Sequence, residues 1–320
     1  MKYFLLLILS IVTISLYAEL GQKNTNIPEE MRAYIDNYKP SFCDCDELDF
    51  SSSDLPINMI AKAVKKNRQI RSLVLPGLHL DQSDLETILQ GFSRKNKLDS
   101  LDLSNNDLRT FCCITTAAKI LGKFRLKNLN LANNKIYLED LKSILSLLLK
   151  QGSIQRLDLS SNDLQADAAL AIADFLEKYH DLKYLNIDSN NFGPQGMAAI
   201  LKALKHQRAP LALTMTGLFD VSLVKLFPET NITELYFNDS GITDEDILAL
   251  APILPETNIK KLILYLNDIS DKGVKKLLEV LPNTKIVELD LLNNHEIKDF
   301  PAIKNFMKNH PQIKILYGDI

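Results

Sequence analysis

The chain has 320 residues, 46% of them hydrophobic, and a formal net charge of −3. That apolar content fills a large core and excludes a disordered chain. The near-neutral balance excludes nucleic acid as the main partner, because no cationic excess is present to neutralise phosphates.

The first element reads as an export signal. Lys2 supplies a positive start, Phe4 to Tyr17 is a 14-residue run of apolar and small hydroxyl residues, and polar sequence begins at Glu19. Such a run is too short to span a bilayer comfortably, so residues 1–18 are expected to be a signal peptide. Ala18 suits the position before a cleavage site, whereas Leu16 is bulkier than the small residue preferred there, so an uncleaved membrane anchor stays open. Export ends in the periplasm, the medium or a host cell, and membrane contact is expected only through this segment. Residues 19–42 follow, and Pro28 to Tyr38 has the spacing of a short amphipathic helix able to cap what comes next.

From residue 43 to 320 one register dominates, L-x-x-L-x-L-x-x-N-x-L. It reads Leu98, Leu101, Leu103, Asn106, Leu108, then Leu126, Leu129, Leu131, Asn134, Ile136. Ile154, Leu157, Leu159, Asn162, Leu164 and Leu182, Leu185, Ile187, Asn190, Phe192 continue it, with starts 28 residues apart. Looser copies precede these (Leu48, Phe50, Ser53, Leu55; Ile70, Leu73, Leu75, Leu78, Leu80). Later copies begin with a degraded seventh, Leu211, Leu213, Thr216, Leu218, and go on through Ile232, Ile259 and Ile286 to a last strand at Ile313, Leu316 and Gly318. The pattern predicts an α/β fold, a leucine-rich repeat solenoid of about 11 repeats of 24–28 residues. In each copy L-x-L alternates with period two and makes a short strand with its leucines inward. The next Asn turns the chain and can bond the backbones of adjacent coils, so Asn106, Asn134, Asn162, Asn190, Asn267 and Asn294 are expected to form a buried ladder. A segment of helical spacing, such as Ala168, Ala169, Ile172, Ala173 and Leu176, then returns on the convex side of a horseshoe whose concave wall is a parallel sheet.

Repeats of 27–28 residues with a helical outer side resemble the ribonuclease-inhibitor subfamily of leucine-rich repeats. Gly193-Pro-Gln-Gly196-Met-Ala-Ala-Ile-Leu201 and Ser270-Asp-Lys-Gly273-Val-Lys-Lys-Leu277 carry that likeness at the helix starts. The resemblance implies a binding scaffold rather than an enzyme. With a signal-like start before a bare array, the chain also looks like leucine-rich repeat proteins that intracellular bacteria deliver to host cells. The alternatives are a regulator of a small GTPase, like the GTPase-activating proteins of this subfamily, and an inhibitor of a secreted enzyme.

The register also has departures. Ser53, Leu78, Thr216 and Ser240 replace the ladder Asn, and Glu296 stands where an inward aliphatic is expected, with Ile297 one residue late. Pro228, Pro255 and Pro282, spaced by 27, are expected to terminate outer helices. Two segments of different coil length therefore meet at copy seven, where a change of curvature is expected. Cys45 and Cys113 fall at inward positions and read as core, and neither they nor Cys43 and Cys112 have zinc-site spacing.

Outward strand positions define the working surface. The residue between the two leucines is Asp49, Val74, Asp102, Asn130, Asp158, Asn186, Ala212, Tyr236, Ile263, Asp290 and Tyr317 in successive copies. Flanking positions add Glu47, Ser100, Arg156, Tyr184, Asp188, Glu234, Lys261, Tyr265, Glu288 and Leu292. The later copies gather Tyr236, Ile263, Tyr265, Leu266, Leu292 and Tyr317 among acidic residues, the mark of a surface for a protein partner. Asp102, Asp158, Asp188, Glu234 and Asp290, with Tyr184, would steer and contact that partner. No catalytic set converges: the five His are scattered, and no H-E-x-x-H, P-loop or G-x-G-x-x-G is present. No cofactor and no metal are expected.

Overall fold

A three-residue strand cannot hold a sheet alone, so each L-x-L needs the copy before and the copy after it. The computed structural model describes residues 46–318 apart from 52, 54, 93–95, 107 and 109–120. The signal and capping segments, all four cysteines and the outer segment of the third copy lie outside the described residues. Eleven strands make one parallel sheet in chain order. They are β1 (Glu47–Asp49), β2 (Ser72–Val74), β3 (Ser100–Asp102), β4 (Asn128–Asn130), β5 (Arg156–Asp158), β6 (Tyr184–Asn186), β7 (Leu211–Thr214), β8 (Ile232–Tyr236), β9 (Lys261–Ile263), β10 (Glu288–Asp290) and β11 (Lys314–Leu316).

The convex side carries α1 (Ile57–Lys66), α2 (Gln82–Gln90), α3 (Leu138–Gln151), α4 (Ala166–Lys178), α5 (Gly193–Leu204), α6 (Asp244–Leu250), α7 (Asp271–Val280) and α8 (Phe300–Asn309). Gly196 lets α5 close on α4, since a Cβ there would sit 2.8 Å from the Ala169 Cβ. Among the described residues no helix is long and apolar enough to cross a membrane.

Side by side in the sheet stand Leu48, Leu73, Leu101, Leu129, Leu157, Leu185, Leu213, Leu235, Leu262, Leu289 and Ile315. No member of this column is more than 5% exposed. Leu103, Leu131, Leu159 and Ile187, two residues on, are equally buried. The core is thus one continuous apolar rod between sheet and helices.

Two copies sit differently from the leucine register. In copy seven the sheet pairs Leu213 with Leu185 and Thr214 with Asn186, so Thr214, not Ala212, is the middle outward residue. The ladder slot accordingly belongs to Leu218 rather than Thr216. Because the strand period is two, a slip of two residues leaves every face unchanged, and Leu211 and Leu213 are both fully buried. The regular 28-residue spacing therefore runs one copy further, to Leu213, and the next step to Leu235 is only 22 residues. The short coil is absorbed by a bulge, since Leu211 faces Ile232 while Ala212 faces Glu234. Its outer segment, Val221–Glu229, is a 3₁₀ helix rather than an α-helix. Phe219 and Phe227 pack edge-on to Phe237 and fill this seam, with ring centroids 5.2 and 6.2 Å away.

In copy eleven, Ile315 and Leu316 pair with Leu289 and Asp290. Leu316 is therefore the outward residue, and Tyr317 turns onto the core edge, its ring 5.5 Å from that of Phe300. The prolines act more gently than a helix stop. Pro255 and Pro282 lie in 3₁₀ turns, Ala251–Glu256 and Leu281–Asn283, that continue α6 and α7, because a missing N–H is tolerated once the chain tightens. In copy ten Ile297 is buried and Glu296 exposed, across a turn closed by Ile297 N–H to Asn294 O at 3.1 Å.

Candidate functional site: the concave wall

After β2 to β10 the turn forces a left-handed residue just before the ladder slot. Gly77, Asn105, Asn133, Ser161, Ser189, Gly217, Asp239, Leu266 and Asn293 occupy it, all with positive φ. Gly, Asn and Asp accept that conformation readily, whereas a bulky side chain is strained there. Leu266 is the exception, with φ 56° and a 36% exposed side chain.

Beyond the turn lie the buried amides. Asn162 Nδ2 donates to Leu131 O, Leu159 O and Ser160 O at 2.9–3.0 Å. Its Oδ1 accepts from Asn134 N and Ile136 N, at 3.0 and 3.2 Å. Asn106, Asn190 and Asn267 likewise accept two N–H groups of the preceding coil and donate to its carbonyls. Asn294 accepts from Ile269 N and donates to Leu264 O. Asn134 donates to Leu103 O and Leu131 O, while its buried Oδ1 has no partner among the described residues. At the seam the Ser240 hydroxyl accepts from Gly217 N at 3.0 Å, a shorter reach for a smaller side chain.

A second ladder, at the ends of the outer segments, escaped the sequence reading. Asn96, Gln151 and Gln207 amides donate to carbonyls of the previous coil at 2.7–3.0 Å. Later coils close this end within themselves instead: the Thr230, Thr257 and Thr284 hydroxyls donate to Phe227 O, Leu254 O and Leu281 O, three residues back in the same coil. The Pro-x-Thr recurrence that flagged helix ends was the available signal, and its threonines make these bonds.

On the wall itself the expected residues divide into two groups. Asp102 Oδ1 accepts from Ser104 N and Oγ at 2.8 and 2.7 Å, and its Oδ2 from Asn130 Nδ2 at 2.9 Å. Asp158 repeats this with Ser160 N and Oγ and with Asn186 Nδ2, at 3.0, 2.6 and 2.9 Å. These carboxylates are saturated from within the fold. Arg156 lies 4.0 Å over the Tyr184 ring, whose phenol pKa burial raises. Half-buried Asp188 accepts from Thr216 N at 2.5 Å, and burial pushes its carboxyl pKa above the ordinary value.

Coils eight to eleven carry the apolar group. Tyr236 O–H donates to Glu234 Oε2 at 2.6 Å, and burial together with that bond drives the phenol pKa far up. Lys261 Nζ sits 3.2 Å from Glu288 Oε1 and 5.8 Å from the Tyr236 ring centroid. Tyr265 accepts from Asn293 Nδ2 at 3.0 Å, and Leu266 stands exposed beside it. Ile263, expected as an outward anchor, is only 6% exposed and forms the floor of the patch. Asp290 pairs across the sheet with Ile263 and Leu316, and Leu292 follows it on the same face. Tyr317 does not join this patch, for the register reason above.

Elsewhere, His180 Nε2 lies 2.8 Å from Glu177 O, with the His206 ring 6.1 Å from its own. Open grooves lie on the convex side between α3 and α4 and between α7 and α8. Among the described residues no group of three or more His, Cys, Asp or Glu side chains is placed to hold a metal ion.

Four stretches, 153–173, 180–201, 230–251 and 257–278, match the family model described as leucine rich repeat. The yeast Rad7 structure, solved in complex with Elc1, is similar in fold at TM-score 0.55 and 12% identity, over 84% of this chain and 73% of that one. A Bacteroides fragilis protein is similar at TM-score 0.51 and 16% identity, over 91% and 84%. A search of the curated proteins finds no match.

Proposed function

We propose that this leucine-rich repeat protein is a non-enzymatic scaffold that holds a partner protein on the C-terminal half of its concave wall. The observation that carries this reading is Leu266, an exposed aliphatic in a left-handed turn where the other coils place Gly, Asn, Asp or Ser. Strain of that kind costs stability and is commonly kept at binding sites. Around it, Tyr236, Tyr265, Leu292 and Leu316 are half-exposed on one surface above Ile263, the composition of an interface core. A fold neighbour solved in complex with another protein supports a protein as the partner class.

The test is replacement of Tyr236, Tyr265 and Leu266 together by Ala in the full chain. Binding to a captured partner should fall by roughly 30-fold or more, the effect of losing one or more hot-spot side chains, while the circular dichroism spectrum stays unchanged. Unchanged binding contradicts the assignment.

Export is part of the same proposal. It is supported by Lys2 and the run from Phe4 to Tyr17, and a host-directed bacterial role by the likeness of the bare array. The 27- and 28-residue coils with helical outer sides support the ribonuclease-inhibitor-like subfamily. Fractionation with N-terminal sequencing tests export: a mature chain beginning at Glu19 outside the cytoplasm is expected, membrane retention favours an uncleaved anchor, and a cytosolic full-length chain contradicts it.

A further inference from the structure

Asp290 occupies the strand position that Asp102 and Asp158 hold in coils three and five, yet its surroundings differ on both sides. Asp102 and Asp158 each spend one oxygen on a Ser two residues on and the other on an Asn amide of the next coil. Asp290 Oδ1 accepts Leu292 N–H at 2.9 Å, but Leu292 has no hydroxyl to add. The next-coil neighbour is Leu316, which has no amide to donate. Two lysines share this face: Lys261 is held by Glu288 at 3.2 Å, and exposed Lys314 pairs across the sheet with Glu288 rather than with Asp290. Among the described residues Asp290 therefore has one carboxylate oxygen without a donor, half-exposed between Ile263, Leu292 and Leu316.

A carboxylate between apolar walls is costly unless a cation meets it, and bonds between such charged groups are the strong ones. Arg and Lys are the side chains that match both features, because their methylene stems cover apolar surface while the head carries the charge. We infer that Asp290 is the binding site for a basic side chain of the partner, the stem lying on Ile263, Leu292 and Leu316. The occupant is a partner segment with an Arg or Lys beside apolar or aromatic residues. This inference rests on the patch reading above and gives it a specificity.

The experiment selects random peptides displayed on phage against the full chain and measures binding of the enriched peptides to variants. Asp290→Asn keeps an acceptor for Leu292 N–H and removes only the charge. Enriched peptides should share an Arg or Lys next to apolar residues, bind D290N at least tenfold more weakly, and weaken as salt rises. A convex-face control, Asp167→Asn, should leave binding unchanged. Peptides that need Tyr265 and Leu266 but lack a basic residue, or bind D290N equally, overturn the Asp290 assignment and leave the patch standing. Peptides indifferent to Tyr265 and Leu266, or a selection that enriches none, overturn the patch and this inference with it.

Discussion

In coils three to six the wall is a lattice of pairs, Asn130 bonding Asp102 and Asn186 bonding Asp158, each residue also tied to the turn behind it. In coils eight to eleven the same positions hold Tyr236, Ile263, Asp290 and Leu316, and no such lattice can form. The parallel strand pairing is the same in both, so on the wall the difference lies in what the side chains leave unspent. The first half uses its polar groups on itself and is built for stability. The second presents aromatic and aliphatic surface, a strained leucine and a half-used carboxylate. Acidic residues on a repeat face are thus not all alike: those with a Ser two residues on and an Asn in the next coil are framework.

The largest way to test that contrast is through the ladder shared by both halves. Asn162→Leu strands three carbonyls and two N–H groups in the core. It should cost about 3–5 kcal/mol, read as a lower urea midpoint. Next comes the lattice itself. Asp158→Ala should cost about 1–2 kcal/mol, whereas Asp290→Ala, with one bond to lose, should cost about 0.5 kcal/mol or less. Equal costs would erase the distinction between the halves.

A smaller effect of opposite sign is expected at Leu266. Leu266→Asn relieves the left-handed strain and should raise stability by about 0.5–1 kcal/mol while weakening partner binding. The smallest effect concerns pH. Burial raises the Asp188 pKa in the folded state, so the fold binds that proton more tightly than the unfolded chain does. Its contribution is therefore greatest below the ordinary carboxylate value and is lost as pH rises through the raised folded value. Asp188→Asn should flatten this part of the stability–pH curve, measured by chemical unfolding between pH 3 and 7, roughly the carboxylate range.

The strands and ladder asparagines of copies three to six were legible because leucine, asparagine and spacing repeat together. Copy seven was misplaced by two residues, since Leu211 imitates the first leucine of the motif and a slip of two keeps every face. Tyr317 was read as surface for a related reason: only pairing with Leu289 and Asp290 tells Ile315 and Leu316 apart from the next pair along. The concave residues themselves were readable from the period, but their bonds were not. Nothing in an Asp tells whether its oxygens are already taken. The strain at Leu266 was within reach, because Asn105, Asn133, Asp239 and Asn293 mark the slot before the ladder as left-handed.

The central claim, that binding belongs to the second half of the wall, is tested most directly by photo-cross-linking in cells. A benzophenone side chain replaces Leu292 in one chain, Asn128 on β4 in a second, and exposed Leu170 on the convex helix α4 in a third. A covalent adduct with a protein partner from position 292 alone is the expected result. Adducts from position 128 or 170 and none from 292 would contradict it.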